Sequence, residues 1–190
     1  MQMNNLQDLM VDNLKDLYNA ENQLLKALPK VAKAVENEQL REALEMHLKE
    51  TQGHVQRLEQ VFSTLGEKPT GKKCKGMEGL IEENKELMGE DAEPDVMDAG
   101  LIVGCQKIEH YEIAGYGSAV TFAKMLGNNE AARLLGEILD EEERTDKKLT
   151  EIAKSSINVQ AAEGGGEEEM EERSTRSSRS SSRSSARRRR

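Results

Sequence analysis

Apolar side chains recur along this chain at intervals of three and four residues, the spacing that puts them on one face of an α-helix. Leu6, Leu9, Met10, Leu14, Leu17, Leu24, Leu25, Leu28 and Val31 predict a first long helix from Leu6 to Val35, with Pro29 as a point of bending. After the polar break Glu36-Asn37-Glu38, the period resumes through Leu40, Leu44, Leu48, Val55, Leu58 and Val61 to Leu65. Gly66 then supplies the stop, and Pro69 follows. Residues 66–96 lose the pattern: Pro69, Gly71 and the run Lys72-Lys73-Cys74-Lys75 lead into one short amphipathic piece, Met77 to Glu83, before a turn at Asp91 to Pro94. A third long helix is predicted from Pro94 to Leu126, a turn at Gly127-Asn128-Asn129, and a fourth helix from Glu130 to Ile157.

Neighbouring antiparallel helices need only a few linking residues, whereas a connection of about 30 can span a bundle, so long helices two and three are predicted to run parallel. This connectivity predicts an all-α, ferritin-like antiparallel four-helix bundle, with a short helix in the long crossover between helices two and three. Shifting the second half onto the first by 91 positions places Glu112 on Glu21, Glu141 on Glu50, Leu135 on Leu44, Leu139 on Leu48 and Leu149 on Leu58, which suggests two related helical hairpins.

Composition supports the helices and sets the domain limits. Aromatic residues make up only 3% and Trp is absent, which disfavours a sheet protein. Beyond residue 157 the apolar period ends. Ala161 to Glu172 holds a glycine run and six Glu, and Arg173 to Arg190 holds eight Arg among Ser, Thr and Ala. The expected division is a helical bundle over residues 1–157 and a disordered tail over 158–190, acidic and then Arg/Ser-rich. Residues 1–160 carry 19 Lys/Arg against 30 Asp/Glu, so the domain is acidic at a formal −11 while the tail ends basic. Two cysteines, Cys74 and Cys105, are too few for a disulfide framework. With no signal-like N-terminus and no membrane-length apolar run, they predict reduced thiols in a cytoplasmic protein.

The chemistry lies in acids that interrupt the apolar stripes. Glu21 stands among Leu14, Leu17, Leu24, Leu25 and Leu28. Glu50 shares a helical face with Ala43, Met46, His54 and Leu58. Glu112 falls between Cys105, Ile108, Tyr116 and Ala119, while Glu142 stands among Leu135, Ile138, Leu139 and Leu149, with Asp146 one turn on. Glu109, facing Ile102, Cys105, Ile113 and Tyr116, competes with Glu112, and Glu141 or Glu143 competes with Glu142. Carboxylates inside a bundle are tolerated when paired, protonated or bound to a cation. Two divalent ions would meet that need, and carboxylates with imidazole suit iron or manganese better than zinc. The predicted ligand set is Glu21, Glu50, His54, Glu109 or Glu112, Glu142 and Asp146. His47 is read as a surface or rim residue, His110 as a hydrogen-bonded neighbour, and Tyr18, Tyr111 and Tyr116 as core aromatics with satisfied hydroxyls.

The segments Leu17 to Leu24, His47 to Thr51, Gly76 to Glu83, Gln106 to Gly117 and Glu141 to Thr150 together resemble the YciE/YciF-like family of bacterial stress proteins, over residues 4–157. The resemblance implies a ferritin-like, rubrerythrin-related bundle, a homodimer, a role in stress responses and a dinuclear metal site of poorly defined activity. Typical sites of that fold carry a Glu and a His three residues later on two helices. Here Glu50 precedes His54 by four, and Glu142 is followed by Asp146 rather than a second His.

Two functions follow as expectations. One is a stress-response protein with a dinuclear iron or manganese site that oxidises Fe(II) or removes peroxide. The other is a non-enzymatic dimeric binding protein that contacts nucleic acid or another anionic surface weakly and electrostatically through Arg173 to Arg190.

Overall fold

In a computed structural model, residues 3–164 are described. The chain forms α1 (Leu6–Ala34), α2 (Glu38–Thr64), α3 (Lys75–Leu87), α4 (Pro94–Met125) and α5 (Asn129–Ile152), and no strand occurs among the described residues. A wider π-helical turn at Ala153–Ile157 follows α5, and helix then continues through residue 164, past the expected domain end at 157. The buried stripe itself stops at Ile157. Residues 165–190, which include the Arg-rich segment, lie outside the described residues.

Local chemistry sets the helix ends. The side chains of Asn5, Asn37 and Asn128 each accept a hydrogen bond from a backbone N–H in the first turn of α1, α2 and α5, satisfying donors that a helix start leaves free. Gly66 and Gly127, just past α2 and α4, take φ of 68° and 72°, the left-handed conformation that lets the chain leave a helix sharply. Asp98, buried in α4, accepts from the backbone N–H groups of Glu36 and Asn37 at 3.1 and 2.7 Å, and so ties the α1–α2 connection to the first turns of α4. Pro29 is accommodated within α1, which continues to Ala34.

The core consists of two apolar clusters, and the order in which each helix visits them gives the topology. α1 contributes Leu14 and Leu17 to one cluster and then Leu24 and Leu28 to the other. α2 runs oppositely, from Leu40 and Leu44 to Leu58 and Val61. α4 follows the sense of α2, from Leu101 and Cys105 to Tyr116 and Ala119, and α5 reverses again, from Leu135 and Ile138 to Leu149 and Ile152. Thus α2 and α4 are parallel and joined by the crossover that carries α3, which packs on α1 and α4. This is the ferritin-like bundle expected from the hydrophobic period.

Candidate metal centre

Between the two apolar clusters, every long helix puts a polar side chain on its buried stripe at the same level. α1 supplies Glu21 between Leu17 and Leu24; α2 supplies His47, Thr51 and His54 between Leu44 and Leu58. α4 supplies Glu109 and Glu112 between Ile108 and Tyr116, and α5 supplies Glu142 between Ile138 and Leu149. All seven are buried. The inward face of α2 reads Leu40, Leu44, His47, Thr51, His54, Leu58, a strict alternation of four and three. His47 therefore belongs to the interior rather than the rim, and the alternation was the signal for it.

The side chains converge in two groups that share Glu142. One ligand atom each from His47, Glu109, Glu112 and Glu142 lie within 4.8 Å of one another, and Glu21, His54 and Glu142 meet the same limit. His54 Nδ1 is 3.3 Å from Glu21 Oε1 and 3.1 Å from Glu142 Oε1, while His47 Nε2 is 3.3 Å from Glu109 Oε1 and 3.9 Å from Glu142 Oε2. The three shorter approaches lack the alignment of hydrogen bonds, and the fourth is too long for one. Of nine buried side-chain atoms without a hydrogen-bond partner among the described residues, eight are here: Glu21 Oε2, His47 Nε2, His54 Nδ1, Glu109 Oε2 and both carboxylate oxygens of Glu112 and of Glu142. Buried polar atoms normally find partners, so such a concentration of ligand-type atoms is compatible with a bound metal ion.

Each imidazole has one nitrogen anchored from behind and the other aimed inward. His54 Nε2 is hydrogen-bonded to Glu141 Oε2 at 2.9 Å, and Glu141 is gripped by the Arg57 guanidinium, Nη1 to Oε1 at 3.0 Å and Nη2 to Oε2. His47 Nδ1 lies 3.3 Å from the Thr145 hydroxyl. This fixing of one ring nitrogen while the other is presented is how imidazole ligands are oriented. On the opposite side, the Tyr116 hydroxyl donates to Glu21 Oε1.

Protonation follows from burial and proximity. Burial raises Glu112 well above the usual carboxylate range, and the charges of Glu21, Glu142 and Glu109 add to it. Glu109 is likewise raised well above its ordinary value, chiefly by burial and against the pull of His47. Burial also raises Glu21, although His54 opposes it. Burial works against a charged His47, yet Glu109, Glu50 and Glu142 together hold it at about 9. His54, through Glu21, Glu141 and Glu142, stands at about 12. Glu142 is held below its ordinary value despite its burial, by contact with His54 and the charge of His47. Glu141, likewise against burial, is held at about 2 by His54 and Arg57. Burial and mutual proximity thus favour the protonated forms of Glu21, Glu109, Glu112 and both imidazoles, in positions that a cation could take over.

The sequence-predicted residues divide. Glu21, His54, Glu109, Glu112 and Glu142 come together; Glu109 and Glu112, weighed as alternatives, are both buried and belong to the same group. Glu50 lies one position off the α2 stripe and is half-buried, 3.8 Å from His47 Nδ1 and 3.9 Å from Arg144 Nη2. Met46, read on the same inward face, is exposed. Asp146 is outside both groups, accepting from Gln106 Nε2 at 2.9 Å, with His110 Nε2 3.4 Å away. Glu141 takes the place behind His54, and Glu143 is only half-buried. The two-helix Glu-x-x-His pattern is split: α2 carries Thr51 three residues before His54, and α5 carries Thr145 three residues after Glu142. The 91-residue repeat places Thr51 on Glu142 and His54 on Thr145, so each hairpin keeps one half of the pattern. His47 and Glu109, each one turn toward the N-terminus from Thr51 and Ile113, bring the extra nitrogen and carboxylate.

Comparison with known proteins agrees with this architecture. Residues 5–162 match the family described as a domain of unknown function, DUF892. Protein YciF of Escherichia coli is 45% identical over 162 residues, spanning 85% of this chain and 98% of YciF. The crystal structure of that protein, described as a stress protein, superposes with a TM-score of 0.79 and covers 82% of this chain and 99% of its own. YcfI of Rhodopseudomonas palustris is 42% identical at a TM-score of 0.77, covering 78% of this chain and 95% of its own. A two-domain protein of Anabaena variabilis with DJ-1/ThiJ/PfpI-like and ferritin-like domains shares the fold at 16% identity and a TM-score of 0.55, over 82% of this chain and 38% of its own. By sequence and by fold, the chain belongs to the YciF-like DUF892 family of ferritin-like proteins.

Proposed function

We propose that this chain is a cytoplasmic stress-response protein whose bundle holds a dinuclear iron or manganese centre and uses it to oxidise Fe(II) or remove peroxide. The observation that carries the reading is the set of eight buried ligand-type atoms without hydrogen-bond partners among the described residues, drawn from all four long helices and arranged in two groups that share Glu142. Carboxylates with two imidazoles match the preferences of iron and manganese. His54, Glu21 and Glu142 would hold one ion; His47, Glu109, Glu112 and Glu142 would hold the other. Such ions would supply the change of oxidation state that Fe(II) oxidation and peroxide removal require.

The chain's own part is to place and insulate the donors. Glu141 with Arg57, and Thr145, hold the two imidazoles in orientation. Tyr116 fixes Glu21, and the apolar clusters on either side restrict water. Glu50 and Asp146 take supporting places at the border, on His47 and on Gln106. The test is consumption of hydrogen peroxide by the reconstituted protein in the presence of Fe(II), compared with Glu142→Ala. Loss of turnover in the variant supports the proposal; equal rates in both contradict it.

A further inference from the structure

A cavity of about 220 Å³ opens between α1, α3 and α4. Its walls are largely apolar, with Leu24 and Leu28 from α1, Ile81 and Met88 from α3 and its end, and Ile108 from α4. Two features separate it from a packing gap. Asn84, on its wall and only 3% exposed, has no hydrogen-bond partner for Nδ2 among the described residues. Its seat is specific: a Cβ at Gly104 would fall 1.5 Å from Asn84 Oδ1, so only glycine on α4 leaves room for this amide. The second feature is charge. The exposed lysines Lys26, Lys30 and Lys85 border the cavity. Lys85 pairs with Glu82, but Lys26 and Lys30 have no ion-pair partner among the described residues, in a domain that is otherwise strongly acidic.

A buried N–H donor in an apolar wall calls for an acceptor oxygen, and unpaired cations at the border call for negative charge. We propose that this cavity binds a small carboxylic acid with an apolar chain of about six to eight carbons, given that a cavity of about 150 Å³ accepts benzene. One carboxylate oxygen accepts from Asn84 Nδ2, Lys26 and Lys30 balance the charge, and the chain lies on Leu24, Leu28 and Ile108. The site is separate from the candidate metal centre: none of these residues belongs to either group of candidate ligands.

Calorimetric titration of the full chain with hexanoate tests this, with hexanol and hexylamine as neutral and cationic probes of the same chain length. The expected result is saturable hexanoate binding at one site per chain, stronger than for either other probe. Ala27 also lines the cavity, and Ala27→Phe, which fills it, abolishes binding. Asn84→Leu, which keeps the volume and removes the donor, weakens it about tenfold or more, and Lys26→Glu with Lys30→Glu weakens it as well. Circular dichroism establishes that each variant is folded. Absence of saturation, equal affinity for hexanol, or an affinity unchanged by Ala27→Phe overturns the proposal. So does hexanoate affinity that falls as chains associate, which assigns the cavity to a second copy.

Discussion

His54 is held between two carboxylate environments: Nε2 is hydrogen-bonded at 2.9 Å to Glu141, itself clamped by Arg57, and Nδ1 faces Glu21 and Glu142 at 3.3 and 3.1 Å. The outer carboxylate sets the ring's orientation and makes the inner nitrogen a better donor to a cation. Glu141→Gln is therefore expected to lower metal affinity by about tenfold to a hundredfold while the helical signal is retained. Competition titration against a chelator measures it. Unchanged affinity would mean that Glu141 serves only as a surface partner for Arg57.

Glu112 is fully buried, and neither carboxylate oxygen has a hydrogen-bond partner among the described residues. In the metal-free protein this is a liability, because an unsatisfied buried polar group costs about 1–3 kcal/mol. Glu112→Leu is expected to raise the thermal midpoint of the metal-free protein and to reduce bound metal, separating stability from site chemistry. Calorimetry of chelator-treated protein checks the first effect. A lower midpoint would show that Glu112 has a structural role in the bundle.

The proton load of the cluster predicts the pH dependence. His47 is raised from 6.5 to about 9, and Glu109 and Glu112 stand well above 4.5, so each holds its proton more tightly folded than unfolded. The stability contributed by His47 is fully present below its unfolded pKa of 6.5 and is lost as pH rises through about 9. The two carboxyls act in the same direction from about pH 4.5 upward. Glu141 and Glu142, shifted downward, act below that range. The metal-free thermal midpoint should thus fall from about pH 5 to about pH 9. Metal loading should release protons and flatten the slope. Calorimetry in two buffers of different ionisation enthalpy measures the release, and a midpoint that rises over the same range contradicts the assignment.

The fold was legible because every long helix carries a continuous apolar stripe, and the length of residues 66–96 left a parallel crossover as the economical connection. The candidate site was legible where an acid replaces an apolar residue on a stripe, as with Glu21, Glu112 and Glu142. Glu50 and Asp146 share helical neighbours with these positions but lie one place off the buried line, where the 3.6-residue period turns a side chain toward the border. His47 was missed for the opposite reason. It stands in the interior alternation of α2, but polar neighbours at Met46-flanking Glu45 and at Lys49 make its segment read as surface. The roles of Glu141 and Thr145 depend on contacts across the α2–α5 interface, which no single helix pattern contains.

Metal content tests the central claim most directly. Protein produced without a metal-binding tag and reconstituted anaerobically with Fe(II) or Mn(II) should carry about two ions per chain, as two donor groups sharing one carboxylate require. His47→Ala and His54→Ala should each leave about one, and Glu142→Ala should deplete both, with the helical signal intact in all three. No tightly bound metal in the reconstituted wild-type chain, or a content indifferent to all three substitutions, would contradict a dinuclear centre in this bundle.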